Sequence, residues 1–172
     1  VGCVVGQLAK AAGCRTVGLA GGPSKCTFVR EELGFDACID YRSYPDVASL
    51  GSALAEACPK GIDGNFENVG GVILEAVLSR MNRFGRVAVC GMIAGYNGTP
   101  TPLNVPLWIL QSRLTVRGFI VGDHMEAWPQ AMKEIGALVA QGRLKSHETV
   151  SSGLETAPEA LLGLFRGKNI GK

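Results

Sequence analysis

Metal-ligand sets, membrane-length apolar runs and blocks of like charge are all missing from these 172 residues. There are two histidines, His124 and His147, and none of the six cysteines (3, 14, 26, 38, 58 and 90) belongs to a CxxC pair. A zinc site needs clustered Cys and His ligands, so no metal is expected within this stretch. Most of the cysteines lie in apolar segments, where a small thiol packs well, and a reducing, cytoplasmic setting is expected. No apolar run approaches the roughly 18 residues that a transmembrane helix requires, so no membrane association is expected. The 17 basic and 15 acidic residues leave a net charge of +2 without a long run of either sign. That balance argues against nucleic acid as a partner. Apolar residues make up 47%, enough for one packed core. The residue in excess is glycine, 24 in all, roughly double the usual share of about 7% and spread without a period. Such a spread suits many tight turns between strands and helices.

The opening, "VGCVVGQLAK", sets Val4, Val5, Leu8, Ala9 and Ala12 at helical spacing up to Gly13. A dinucleotide-binding loop needs a strand, a glycine-rich turn and a helix whose first N–H groups meet the pyrophosphate. Only the helix and the last glycines, Gly2 and Gly6, are present, which raises the expectation of a strand before Val1. Further along, strands are predicted over 16–20, 37–40, 62–69, 86–90 and 114–121. Helices are predicted over 24–33 with Ser24 as cap, and over 47–57, 72–81, 107–113, 125–141 and 157–166. The Gly-, Pro-, Asn- and Thr-rich segment 91–106 reads as a long surface loop. Alternating strands and helices predict an α/β fold, a doubly wound parallel sheet, as one domain over 1–172.

In such sheets ligands lie outside the carboxyl ends of the strands, which directs attention to three stretches. In "LAGGPSK", Gly21 and Gly22 stand where an NAD-preferring fold carries an acid to hold the adenosine ribose, and Lys25 follows. A 2′-phosphate needs that acid absent and a cation near, so NADP is favoured over NAD, with Arg30 a more distant cation. The alternative is that Lys25 is a solvated residue of the first helical turn. In "FENVGG", Glu67, Asn68 and Gly70 fall at a strand end, where Asn68 either meets a ribose or amide or caps the next helix. In "VCGMIAGYN", Cys90, Gly91 and Tyr96 fall at the next strand end. No base lies near Cys90 in sequence, so a packed thiol is expected there rather than a nucleophile.

These stretches, with "LGFDACIDYR", "CPKGID", "RGFIV" and "GKNIGK", resemble in order the cofactor domain of the zinc-independent medium-chain dehydrogenase/reductase superfamily. Within it they are most similar to the leukotriene B4 12-hydroxydehydrogenase / prostaglandin reductase family and its bacterial curcumin-reductase-like members. The resemblance implies a Rossmann-type sheet lacking its first strand, and a longer protein whose N-terminal GroES-like catalytic domain is absent from this stretch. It implies NADP(H) as cofactor, with Val1 and Gly2 facing the pyrophosphate, Lys25 the 2′-phosphate, Tyr41 the adenosine and Asn68 a ribose. Cys90, Ile93 and Tyr96 line the loop beside the cofactor, Phe119 and Val121 run along the nicotinamide, and Asn169 reaches back to it. Two positions depart from the family: Gly22 replaces a hydroxyl residue beside Lys25, and Gln111 stands near the position of a tyrosine proposed as proton donor.

What the resemblance implies for function is NADPH-dependent reduction of the C=C bond of an α,β-unsaturated ketone or aldehyde in the whole protein, the piece alone being inactive. A homodimer is expected, paired through the strand around 115–121, an exposed edge rich in Val, Ile and Phe. The rival readings are a non-catalytic nucleotide-binding or dimerisation module, an S-adenosylmethionine-dependent methyltransferase and a zinc alcohol dehydrogenase. The methyltransferase reading lacks the acid it needs at the end of its second strand.

Overall fold

A computed structural model of the chain describes residues 1–96 and 104–171. Part of the predicted 91–106 loop, residues 97–103, therefore lies outside the described residues. The strands are β1 (Val17–Ala20), β2 (Ala37–Asp40), β3 (Ile62–Glu67), β4 (Met81–Val89) and β5 (Thr115–Gly118). The helices are α1 (Gly2–Ala11), α2 (Pro23–Glu31), α3 (Val47–Ala57), α4 (Gly71–Leu78), α5 (Val105–Ser112), α6 (Trp128–Ala140) and α7 (Ala157–Phe165).

All strand pairs are parallel, because each strand is followed by a helix or long crossover that returns the chain to the same edge. The strands form two sheets: β1 pairs with β2, and β3, β4 and β5 follow in that order. Among the described residues, nothing hydrogen-bonds the free edge of β1 to that of β3. One core nevertheless joins the two sheets. Leu50 and Leu54 of α3 and Leu74, Val77 and Leu78 of α4 are buried with Ile39 of β2 and Val87 of β4, and Val17 and Leu19 of β1 pack against them. At about 25 cal/mol per Å² of apolar surface removed from water, this shared cluster is the main tie between the sheets.

Local chemistry explains where the boundaries moved. Ser24 does not cap α2. The helix starts at Pro23, whose missing N–H costs nothing at a first turn, behind Gly22 at φ 103, a conformation that favours glycine. The expected strand 86–90 begins at Met81, and α4 ends at Leu78. Pairing runs Ile62 with Met81 and then Gly64 with Arg86, so residues 82–85 bulge around Phe84 at φ 66. That polar bulge hid the strand's start. β5 stops at Gly118 rather than 121, and residues Val121–Ala127 form a 3₁₀ segment with His124 out of helical geometry. α6 consequently begins at Trp128, not 125. α3 matches its prediction, with Asp46 accepting a hydrogen bond from the Ser49 N–H at 2.8 Å.

Gly6 has a packing reason: a Cβ there would collide with the edge of the Phe35 ring at Cζ. On the same helix, the buried Gln7 amide donates to the Lys145 carbonyl (3.0 Å) and accepts from the Lys145 N–H (2.7 Å), tying the C-terminal third back to α1. No helix among the described residues is long and apolar enough to cross a membrane.

Candidate functional site

Register aligns the strand ends. Ala20 pairs with Asp40, Glu67 with Val89, and Val89 with Gly118. The turns at 21–22 and 41–43 therefore leave one sheet at the same edge, and those at 68–70, 90–96 and 119–121 leave the other sheet together.

At the first edge the Asp40 carboxylate accepts from the Gly22 N–H at 2.8 Å and from the Arg42 N–H at 3.1 Å, fastening the two turns side by side. Gly21 makes their closeness possible. A Cβ at that position would sit 2.9 Å from both the Tyr41 hydroxyl and Arg42 Nε. Lys25 Nζ donates to the Gly167 carbonyl at 2.6 Å. Around Gly167 the position of a Cβ lies 3.4 Å from Arg42 Nη2 and 3.5 Å from Lys25 Nζ. Two cations and a phenol thus converge on a space bounded by glycines. Burial, and then the Arg42 charge, hold the Lys25 pKa below the ordinary lysine value. Arg30, the distant cation of the sequence reading, is replaced here by Arg42; Arg30 lies in the last turn of α2, where its charge acts on Cys38 instead. Asn169 follows Gly167 in the same tail, and its amide donates to the Gly171 carbonyl at 3.1 Å.

At the second edge Glu67 is 3% exposed, yet its carboxyl group is fully engaged. Oε1 accepts from the Val69 N–H (2.6 Å) and the Gly70 N–H (2.8 Å), and Oε2 from the Asn65 amide (3.0 Å). Glu67 thereby takes the capping work that one sequence reading gave to Asn68, whose side-chain amide has no partner among the described residues. The next turn is laced to this one: the Cys90 and Gly91 N–H groups donate to the Glu67 carbonyl, and the Ile93 N–H donates to the Asn68 carbonyl at 3.1 Å. Between the ends of β4 and β5 lies a cavity of about 420 Å³, lined among others by Cys90, Tyr96, Phe119, Ile120 and Asp123. Phe119 stands edge-on to Phe66 at 6.0 Å, and the Met92 N–H donates to the Tyr96 hydroxyl at 3.3 Å.

Of the predicted residues, Cys90, Tyr96 and Phe119 share this cavity, whereas Lys25 and Tyr41 share the cationic cluster. Ile93 and Val121 neighbour the cavity without lining it and are exposed. Val1 precedes α1 as an exposed cap without a side-chain hydrogen bond, and open space surrounds the position of a Cβ on Gly2. Gln111, at the end of α5, precedes the amino end of β5, whereas the cavity lies at its carboxyl end.

Sequence reasoning missed Arg42 and Asp123. The signal for Arg42 was its place two residues past the end of β2, next to β1; Asp123 fell between the strand predicted to 121 and the helix predicted from 125, and was assigned to neither.

Comparison with known proteins decides the family. The zinc-binding dehydrogenase family matches residues 1–137. The chain belongs to that family. This zinc-binding dehydrogenase-family chain is 41% identical over 179 residues to the NADPH-dependent curcumin reductase of Escherichia coli, covering 100% of this chain and 51% of that protein. It is 42% identical over 173 residues to the 2-alkenal reductase (NADP(+)-dependent) of Nicotiana tabacum, covering 100% of this chain and 50% of that protein. The crystal structure of CurA from Vibrio vulnificus in complex with NADPH superposes with a TM-score of 0.91 at 38% identity, covering 100% and 52% of the two chains. The chain spans about half the length of the relatives it matches. Despite the family's name, no three His, Cys, Asp or Glu side chains among the described residues gather into a group that could hold a metal.

Proposed function

We propose that this chain, over 1–172, is part of the NADP(H)-binding domain of a reductase acting on the C=C bond of α,β-unsaturated ketones and aldehydes. The observation that carries the reading is the convergence of Lys25 and the Tyr41 hydroxyl on a glycine-bounded space where an NAD-binding fold would carry an acid. The nearest carboxylate, Asp40, already accepts two backbone N–H groups. The donor set fits a 2′-phosphate, and the names of the E. coli and tobacco relatives support the same reading.

When bound, NADPH supplies a hydride. The residues of this chain bind and orient it. Lys25 holds the 2′-phosphate, Tyr41 lies by the adenosine, Asn68 offers its free amide to a ribose, and Val1 and Gly2 face the pyrophosphate at the start of α1. Cys90, Ile93, Tyr96, Phe119 and Val121 flank the nicotinamide end, and Asn169 closes from the C-terminal tail. Phe119, held edge-on against Phe66, gives that wall an apolar surface. Gln111 is no proton donor to this cavity, lying toward the opposite strand end. The partner is a small-molecule enone or enal, the setting is cytoplasmic, and two copies pair along β5, whose four residues are all exposed.

The test uses the whole protein that contains this chain: NADPH consumption with a panel of enones and enals, beside NADH and a Lys25→Ala variant. Turnover with NADPH that the variant selectively weakens is expected. Tight NADPH binding without turnover of any acceptor would replace this reading with a non-catalytic nucleotide-binding module.

A further inference from the structure

We propose that Arg42 is a second cation for the 2′-phosphate and, with Lys25, decides the choice between NADPH and NADH. The inference rests on the reading of Lys25 just given and adds a residue to it. Three observations carry it.

First, Arg42 spans the space between the two glycines. Its Nε and Cζ lie 2.9 Å and 3.2 Å from the place of a Cβ on Gly21, and its Nη2 lies 3.4 Å from the place of a Cβ on Gly167, where Lys25 Nζ also approaches to 3.5 Å. Second, neither cation has an acidic partner. The ion pairs among the described residues involve Lys10, His124, Lys145 and Lys168, and none involves Lys25 or Arg42. Two like charges brought together without a counter-ion destabilise each other, and a dianion between them reverses the sign. Third, Arg42 is held from behind. Its own N–H donates to Asp40, the carboxylate that also takes the Gly22 N–H, so the turn that carries Arg42 and the turn below it move as one. A planar guanidinium suits a phosphate in two-point contact, whereas a lysine serves as a point charge.

The Gly167 carbonyl that accepts from Lys25 defines the third side of the subsite. When the phosphate arrives, Lys25 shares its three donor hydrogens between carbonyl and phosphate. Arg42, with no such partner among the described residues, is free to turn its whole fork to the anion.

The experiment measures dissociation constants for NADPH and NADH by quenching of intrinsic fluorescence, on the whole protein, for wild type, Lys25→Ala, Arg42→Gln and Arg42→Lys. Thermal unfolding of each variant checks that it is folded, and Arg42→Lys keeps the charge if Arg42→Gln fails to fold. Arg42→Gln is expected to weaken NADPH about tenfold or more, equivalent to about 1.4 kcal/mol, and to leave NADH within about twofold. Arg42→Lys retains part of the preference, and the salt dependence of NADPH binding becomes shallower in Arg42→Gln. Equal weakening of both cofactors would overturn the proposal and assign Arg42 to the adenine common to them. An unchanged NADPH preference in Arg42→Gln, with the preference lost in Lys25→Ala, would overturn it while leaving the Lys25 reading intact. A wild type that binds NADH as tightly as NADPH would overturn both.

Discussion

Removing the carboxyl group of Glu67 tests whether the turn at the end of β3 is built around it. In Glu67→Ala the Val69 and Gly70 N–H groups lose acceptors at 2.6 Å and 2.8 Å, and the Asn65 amide loses one at 3.0 Å. The Gly70 contact is buried and the Val69 contact partly so. An unsatisfied buried donor costs about 1–3 kcal/mol; with about 2 for Gly70 and about 1 for Val69, the expected loss is about 3 kcal/mol. Glu67→Gln keeps a carbonyl oxygen for both N–H groups, and the Asn65 amide can turn to accept from the new NH₂, so about 1 kcal/mol is expected. Amide hydrogen exchange reads the turn directly, whatever else the protein contains. Protection at residues 69 and 70 should fall about a hundredfold in Glu67→Ala and less than about tenfold in Glu67→Gln, at about 1.4 kcal/mol per tenfold. Equal losses in the two variants, or unchanged protection in Glu67→Ala, would refute the account of the turn and of the Asn68 amide that it leaves free.

Gly6→Ala drives a Cβ into the edge of the Phe35 ring at Cζ and should cost about 1–3 kcal/mol in denaturant unfolding, with Phe35→Leu in the same chain restoring part of it; a neutral Gly6→Ala contradicts the packing. Burial, with the neighbouring Cys26 thiol, pushes Cys38 up to about 12, whereas Cys14 is exposed. Peptide mapping after brief alkylation near neutral pH should show Cys14 modified well before Cys38, and equal rates would count against this. Because the folded state keeps the Cys38 proton, stability should fall as pH rises from the ordinary thiol range toward about 12. Hydrogen bonds from Lys10 and then the Thr16 N–H hold Asp36 below the ordinary carboxylate value. Its stabilisation is therefore present above that value and lost as pH falls through the lowered folded one; Asp36→Asn should flatten the acid limb of an unfolding-midpoint profile, and an unchanged limb would exclude the role.

Legibility in the sequence followed the range of the physics. α3 came out residue for residue because its signals are adjacent: a polar loop ending at Asp46, apolar spacing through Leu50 and Leu54, and Pro59 beyond its end. The strand end at Glu67 was also readable, but not its capping role, since an Asn beside a glycine turn is the commoner signal. The start of β4 was not legible, because a bulge at 82–85 interrupts the alternation on which a strand is recognised. The 3₁₀ segment that carries Asp123 was not legible either: Gly122, Asp123 and His124 break the apolar run that ends at Val121, but such a break marks a turn and a short 3₁₀ segment alike.

By itself the sequence determined the order of strands and helices, their parallel sense and the glycine turns at the strand ends. Those follow from periodicity, capping and φ preference, which act over a few residues. The tertiary structure alone decided that one core joins the two sheets, and which side chains meet. Lys25 and Gly167 lie 142 residues apart yet share a hydrogen bond, and Arg42 joins them because the ends of β1 and β2 are in register. No local preference encodes such a meeting. It arises when a common core, with α3 and α4 against both sheets, brings the strand ends to their edges, and the clustered charges there are what that packing leaves for a ligand to neutralise.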